Sequence, residues 1–405
     1  MVQNLPTPLP LWNFCKMTVL SGLETLAASG FAPIKNRRIG FVTNQSAILR
    51  DGTSAIEALR RDGSVKLLAL FGPEHGVRGD VPAGKWVNGY KDKATGLPVY
   101  SLYGPTKVPT AAMLKGLEAL VFDLQDIGSS SYTYLSTMGC VLEGAARHGL
   151  PVIVLDRPNP CGLTRIEGGP IRPGYSSFVG KYPVGYLHGL TLGEAAKMIV
   201  GSGWLPGRQK CDLTVAPCQG LTRTFTSWET MSLPWKPSSP NIPKAVTALY
   251  YAATGVVGEL TCLSIGVGTD IPFELAGAPG LDAKAFTQLL QGQGLSGFTF
   301  RPAKWIPSHG VFAKEECHGV RLVCTDPAKA KLTPPNWAIL KALKALGVTS
   351  LFADSEARKM FDLDCGTDAV RKAFLKGAST AQIQAVFDEG KQNFQKAREP
   401  YLLYH

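Results

Sequence analysis

The 405-residue chain has no GxGxxG after its first strand-like run and no GxxxxGK[ST] anywhere, so neither a dinucleotide nor a nucleoside triphosphate site is expected. It also lacks HExxH, CxxC and any Cys/His spacing of the zinc type, and no metal site or other cofactor is expected. No apolar run approaches the roughly 18 residues of a membrane span. Residues 1–18 carry Pro6, Pro8 and Pro10 and no apolar run of the length a secretory leader needs, so the expected location is cytoplasmic, periplasmic or secreted only if the native N-terminus differs. Its nine cysteines are odd in number and dispersed, which predicts reduced thiols. The formal charge is +11, yet no run of five Lys/Arg occurs, and nucleic acid is not an expected partner. A weakly anionic small substrate or cell-envelope polymer suits this charge. Oligomeric state is left open.

What is present is a βαβ rhythm. Apolar runs at Arg38-Ile39-Gly40-Phe41-Val42-Thr43, Val65 to Phe71, Leu117 to Asp123 and Pro151 to Asp156 alternate with helical patterns at 54–61 and 134–148. This predicts an α/β fold: a Rossmann-like, mainly parallel sheet domain over residues 19–235. A smaller α+β domain over 236–405 completes a cleft between them. Pro234, Pro237, Pro240 and Pro243 mark the crossing, and helices are expected near 337–346 and 381–395.

Each strand-like run ends in polar residues: Asn44-Gln45, Glu74-His75, Asp123-Gln125-Asp126 and Asp156-Arg157-Asn159. Open α/β sheets place ligands at that edge. Glu74 is the first candidate, a carboxyl at a strand exit followed by a Gly76 turn, where desolvation favours a proton-donating acid. Its structural alternative is a turn cap paired with Arg78. His75 and His188 are candidate bases, or else hydrogen-bonded cleft histidines. Asp126 points toward ligand if Asp123 caps the turn. Tyr132 and Tyr134 could offer flat faces for a sugar ring beside amide and carboxylate groups such as Gln125. Asp156, Arg157 and Asn159 either contact substrate or brace their proline-stiffened loop. Asn241 could reach the cleft from the crossing, and Glu259 and Glu274 are candidate second carboxylates.

Taken in order, Thr43-Asn44-Gln45, Phe71-Gly72-Pro73-Glu74-His75-Gly76-Val77-Arg78-Gly79, the run Thr95 to Gly104, Asp123-Leu124-Gln125-Asp126-Ile127-Gly128, Val154 to Pro160 and Pro240-Asn241-Ile242-Pro243 carry a family likeness. The chain resembles the exo-β-N-acetylmuramidases of the NamZ type from about Val19 to the C-terminus. The resemblance implies a metal-independent glycoside hydrolase of cell-wall recycling. Its substrate would be a peptidoglycan fragment, from whose non-reducing end it removes N-acetylmuramic acid or a related N-acetylhexosamine. It also implies that Glu74 is the catalytic residue. Glycosidases commonly pair an acid with a second carboxylate, but an N-acetyl sugar can supply its own acetamido oxygen as nucleophile.

The chain departs from that likeness at Ser130 and Ser131, Ile265, Val267 and Ile271. There the resemblance implies arginine and an aromatic, glutamate, arginine and arginine respectively. Arginine is the natural bidentate partner of a carboxylate such as the lactyl group of muramic acid. The departures therefore predict a divergent member with a shifted sugar preference. Two other readings stand beside this one: a Rossmann-like hydrolase or transferase on a different carbohydrate, and a non-catalytic glycan-binding protein.

Overall fold

The computed structural model describes residues 18–81, 84–85, 88–225 and 228–405. The N-terminal prolines, Cys15 and Ser227 lie outside the described residues. Its strands are β1 (Arg38–Thr43), β2 (Lys66–Gly72), β3 (Tyr90–Lys91), β4 (Pro98–Ser101), β5 (Ala119–Asp123), β6 (Val152–Leu155), β7 (Glu167–Pro170), β8 (Gly185–Leu187), β9 (Leu213–Ala216), β10 (Leu275–Ala278), β11 (Phe298–Trp305) and β12 (Cys317–Cys324). Helices α1 (Gly22–Ala28), α2 (Ala55–Asp62), α3 (Ala111–Leu114), α4 (Tyr134–Arg147), α5 (Leu192–Gly201) and α6 (Thr247–Gly258) alternate with the first strands. The smaller lobe adds α7 (Ala283–Gln291), α8 (Pro334–Ala345), α9 (Ser355–Asp364), α10 (Ala369–Leu375), α11 (Thr380–Phe387) and α12 (Lys391–Arg398).

Seven strands form the main sheet in the order β3-β4-β2-β1-β5-β6-β9, parallel throughout except for β3. Alternate residues feed its two faces. Ile39, Phe41, Val121 and Ile153 pack on one side with α1 and α2. Val42, Leu120, Phe122 and Val154 pack on the other. Burial on both faces is why these strands read as near-continuous apolar runs. Chain order reverses between β1 and β5, whose ends align at Thr43 and Asp123. That switch point is where an open α/β sheet leaves a crevice.

The smaller lobe holds the antiparallel sheet β10-β12-β11. It has no separate main core. The cluster on the second sheet face runs on without a break through Tyr186, Ala253 and Val257 to Trp337, Ile339 and Phe361. The chain's end also returns to the large lobe, where the Tyr404 hydroxyl donates to Asp156 Oδ2 at 2.5 Å. The single helix expected over 381–395 is two helices, α11 and α12. Gly390 at φ 83° breaks them, and Asp388 turns outward to accept from Gly168 N at 2.7 Å.

Candidate active site

The segment after β2 turns sharply. His75 sits at φ 70°, a conformation costly for a residue with a side chain, and its Nδ1 bonds Val81 O at 2.8 Å. Strain of this kind survives where surrounding bonds impose it, and Gly76 N bonding Pro73 O supplies another. The turn presents Glu74 at the sheet edge, partly open to solvent. Both of its oxygens are held: Oε1 accepts from Gly84 N at 3.0 Å and Oε2 from Thr133 Oγ1 at 3.0 Å. Thr133 is the residue just before α4, so the acid is tied to a helix start. Tyr103, on the loop after β4, lies against Glu74. Burial, together with the charge and hydrogen bonding of Glu74, pushes its phenol up to about 12.

Across β1, Asp126 is sealed. It is 6% exposed, with Oδ2 accepting from Gly128 N at 2.7 Å and Oδ1 without a partner among the described residues. Burial raises its pKa to about 7, against the pull of the Gly128 and Ile127 amides. Gly128 is required here: a Cβ would stand 2.0 Å from Asn159 Oδ1. His188 Nε2 lies 3.9 Å from Asp126 Oδ2 and has no hydrogen-bond partner among the described residues. Its Nδ1 accepts from Leu190 N at 3.1 Å, which places the proton on Nε2, facing the carboxylate. Burial, then the nearby Arg398 charge, holds its pKa down at about 3, so the ring is neutral.

The remaining expected residues divide by what they touch. Asn44 Nδ2 donates to the Tyr134 hydroxyl at 2.7 Å and Ser238 O at 3.2 Å, while Gln45 Nε2 donates to Pro237 O at 2.9 Å. The Tyr132 and Tyr134 hydroxyls bond Ser238 Oγ and O at 3.0 and 2.6 Å. The crossing is thereby stitched over the switch point by Ser238, which the sequence did not single out. The expectation of open tyrosine faces is corrected. Both rings are buried, 4.7 Å apart edge to face, because their hydroxyls must reach Ser238. Asn241 lies half-buried in the turn beyond.

Gln125 Nε2 bridges Asp126 O and Pro158 O at 2.8 and 2.9 Å, and Asn159 Nδ2 donates to Leu190 O at 3.1 Å. Arg157 is buried and forks onto Asp123, with Ile48 O also accepting. The loop brace anticipated for it therefore runs to Asp123, not to Asp156. Asp156 is fully buried. It accepts from Thr191 Oγ1 at 2.6 Å, Gly193 N at 2.8 Å and Tyr404, and burial raises it to about 6. Arg78 pairs with Asp92 at 2.8 Å. Glu274 pairs with Arg321 at 2.8 Å, and Glu259 faces Asp364, burial lifting Glu259 to about 7. Neither of these two carboxylates bonds Glu74 or the groups bonded to it.

The departures are packed, not open. Ser130 N donates to Tyr186 O at 2.7 Å and Ser131 Oγ meets the Tyr251 hydroxyl at 3.0 Å. Ile265 is buried against Gly258, and Ile271 packs with Leu275, Trp305 and Phe312. Among the described residues no group of three His, Cys, Asp or Glu side chains is placed to hold a metal ion. No helix among them is long and apolar enough to cross a membrane.

A partly open carboxyl and a sealed one stand at two strand ends beside the switch point of a parallel α/β sheet, the edge where such folds bind ligands. Residues 39–246 match the family model "Exo-beta-N-acetylmuramidase NamZ, N-terminal", and residues 249–404 match "Exo-beta-N-acetylmuramidase NamZ, C-terminal". The chain belongs to this family of glycosidases. The peptidoglycan beta-N-acetylmuramidase NamZ of Bacillus subtilis (strain 168) is 38% identical over 389 residues, 96% of this chain and 92% of that relative. A DUF1343 family crystal structure from Bacteroides fragilis superposes with a TM-score of 0.90 at 38% identity, covering 96% of this chain and 100% of that one. A second from the same organism gives 0.75 at 29%, covering 96% and 99%.

Proposed function

We propose that the chain is an exo-acting hydrolase releasing a terminal N-acetylmuramic acid, or a related N-acetylhexosamine, from the non-reducing end of peptidoglycan fragments. The carrying observation is Glu74: a carboxyl partly open to solvent at the sheet edge, oriented at both oxygens by Thr133 and Gly84. In the first step the sugar's acetamido oxygen attacks the anomeric carbon and the glycosidic C–O bond breaks. Glu74 protonates the departing oxygen. In the second, water opens the cyclic intermediate and returns its proton to Glu74. Asp126, sealed from solvent with neutral His188 beside it, positions the 126–128 turn through Gly128 N and does not touch the sugar. His75 holds the turn that aims Glu74. Arg157 and Asp156 hold the loops beneath.

Eight free thiols among the described residues, most of them buried, are consistent with a reducing compartment such as the cytoplasm. The test is Glu74→Gln assayed on a chromogenic N-acetylmuramide. Turnover should fall about 10²–10⁴-fold, the usual worth of a positioned acid, with the circular dichroism spectrum unchanged. Turnover near wild type removes Glu74 from the mechanism.

A further inference from the structure

Beside Glu74 lies a patch with no part in the steps above. The loop between β4 and α3 carries Tyr103 and Lys107, and the loop between β7 and β8 carries Phe178; all three side chains are half-buried. The rings of Tyr103 and Phe178 meet at 5.9 Å and 54°, and Lys107 Nζ lies 5.2 Å from the Phe178 centroid. Tyr103 contacts Glu74. Thr133, at the start of α4, holds the same carboxylate.

Lys107 is a half-buried cation with no carboxylate beside it among the described residues. Arg78 is matched to Asp92, Arg157 to Asp123, and Lys181 to Glu143. Lys107 donates only to Gly104 O, at 2.9 Å, and among the described residues it has no carboxylate partner. An ammonium has three donors, and two remain for a ligand. An aromatic pair with a half-buried, unmatched ammonium at its far end is complementary to a flat ring bearing an anionic arm.

We propose that Tyr103, Phe178 and Lys107 form a sugar subsite beside Glu74 that takes a pyranose bearing a carboxylate substituent, the ring against the aromatics and the carboxylate on Lys107. The subsite deepens the hydrolase reading and rests on it. It also accounts for how a chain with Ser130, Val267 and Ile271 in place of arginine still recognises an acidic sugar. Two sources carry such a carboxylate: the lactyl ether of the muramic residue and a stem peptide.

The test compares full-length wild type with Lys107→Met and Lys107→Arg on nitrophenyl N-acetylmuramide, on nitrophenyl N-acetylglucosaminide, and on muramyl disaccharide with and without a stem peptide. A charged hydrogen bond is worth about 1.5–3 kcal/mol. Lys107→Met should therefore lower kcat/KM on the muramide about 10–100-fold, chiefly through KM, and leave the glucosaminide within twofold. Lys107→Arg should restore most of the loss. A loss seen only with the stem peptide assigns the carboxylate to the peptide. Equal losses on both glycosides, or none on any acidic substrate, overturn the subsite. Calorimetric binding of free N-acetylmuramic acid and N-acetylglucosamine to Glu74→Gln, with and without Lys107→Met, separates the two proposals. Muramic-selective loss there supports the subsite even if Glu74→Gln retains turnover and the hydrolytic reading falls; equal binding overturns the subsite alone.

Discussion

Glu74 and Asp126 stand at the ends of two strands that flank β1, yet their surroundings are opposite. Glu74 is reached by solvent and has both oxygens occupied by a helix-start hydroxyl and a backbone amide. Asp126 is buried, keeps one oxygen without a partner among the described residues, faces a neutral imidazole and is pushed up to about 7. Environments that separate two carboxyls in this way are how one site runs two roles. In the proposed mechanism the open group exchanges a proton with the leaving oxygen and with water. The sealed one is confined to holding its own turn, through Gly128 N.

The comparison breaks most sharply if the two groups are exchanged in importance. Glu74→Gln should cost more turnover than Asp126→Asn by at least about tenfold, since general-acid catalysis is worth about 10²–10⁴. Parallel kinetics on one chromogenic substrate decide this, and a larger loss at Asp126 inverts the assignment. The floor under the sealed side should give the next largest effect. Arg157→Met leaves Asp123 buried and unpaired, and should lower unfolding free energy by about 3–5 kcal/mol in urea titration.

Asp126→Asn then sharpens the electrostatic half. A carboxyl whose pKa rises on folding keeps its proton longer in the native state, so its contribution is most favourable below about pH 4. Stability is lost as pH climbs toward 7. In that window the wild type should lose up to about 1.4 kcal/mol per pH unit through this group. The Asn variant should show a flatter stability profile, while an identical slope means Asp126 is not protonated in the fold. The smallest effect is expected from Thr133→Val. Removing one hydrogen bond to a charged oxygen, worth about 1.5–3 kcal/mol at most and less where water can replace it, should slow turnover about tenfold or less. The Tm should stay nearly constant.

Much of this contrast was legible before any tertiary information. Strand β1 lies where the apolar run Arg38 to Thr43 placed it, and the β2, β5 and β6 runs were located to within two residues, because burial on both faces leaves a continuous apolar signal. Polar residues at four strand ends announced a shared edge, and parallel topology forces such ends together. Less visible were the partners. Tyr103 and Thr133 touch Glu74 from loops 29 and 59 residues away. Ser238 holds four side chains of the switch point through its carbonyl and hydroxyl, and no local pattern marks that use. The tyrosines were misjudged for the same reason, since exposure of an aromatic depends on what crosses over it.

By itself, then, the sequence determined the parallel α/β scaffold and the strand-end motifs, Glu74 among them, because periodicity and turn chemistry are written locally. Only the tertiary structure decided which carboxyl is open and which sealed, that Arg157 serves Asp123, and that Lys107 sits over Phe178 with no carboxylate partner among the described residues. Burial and charge pairing are sums over neighbours distant in the chain, and those neighbours exist only once the chain has folded.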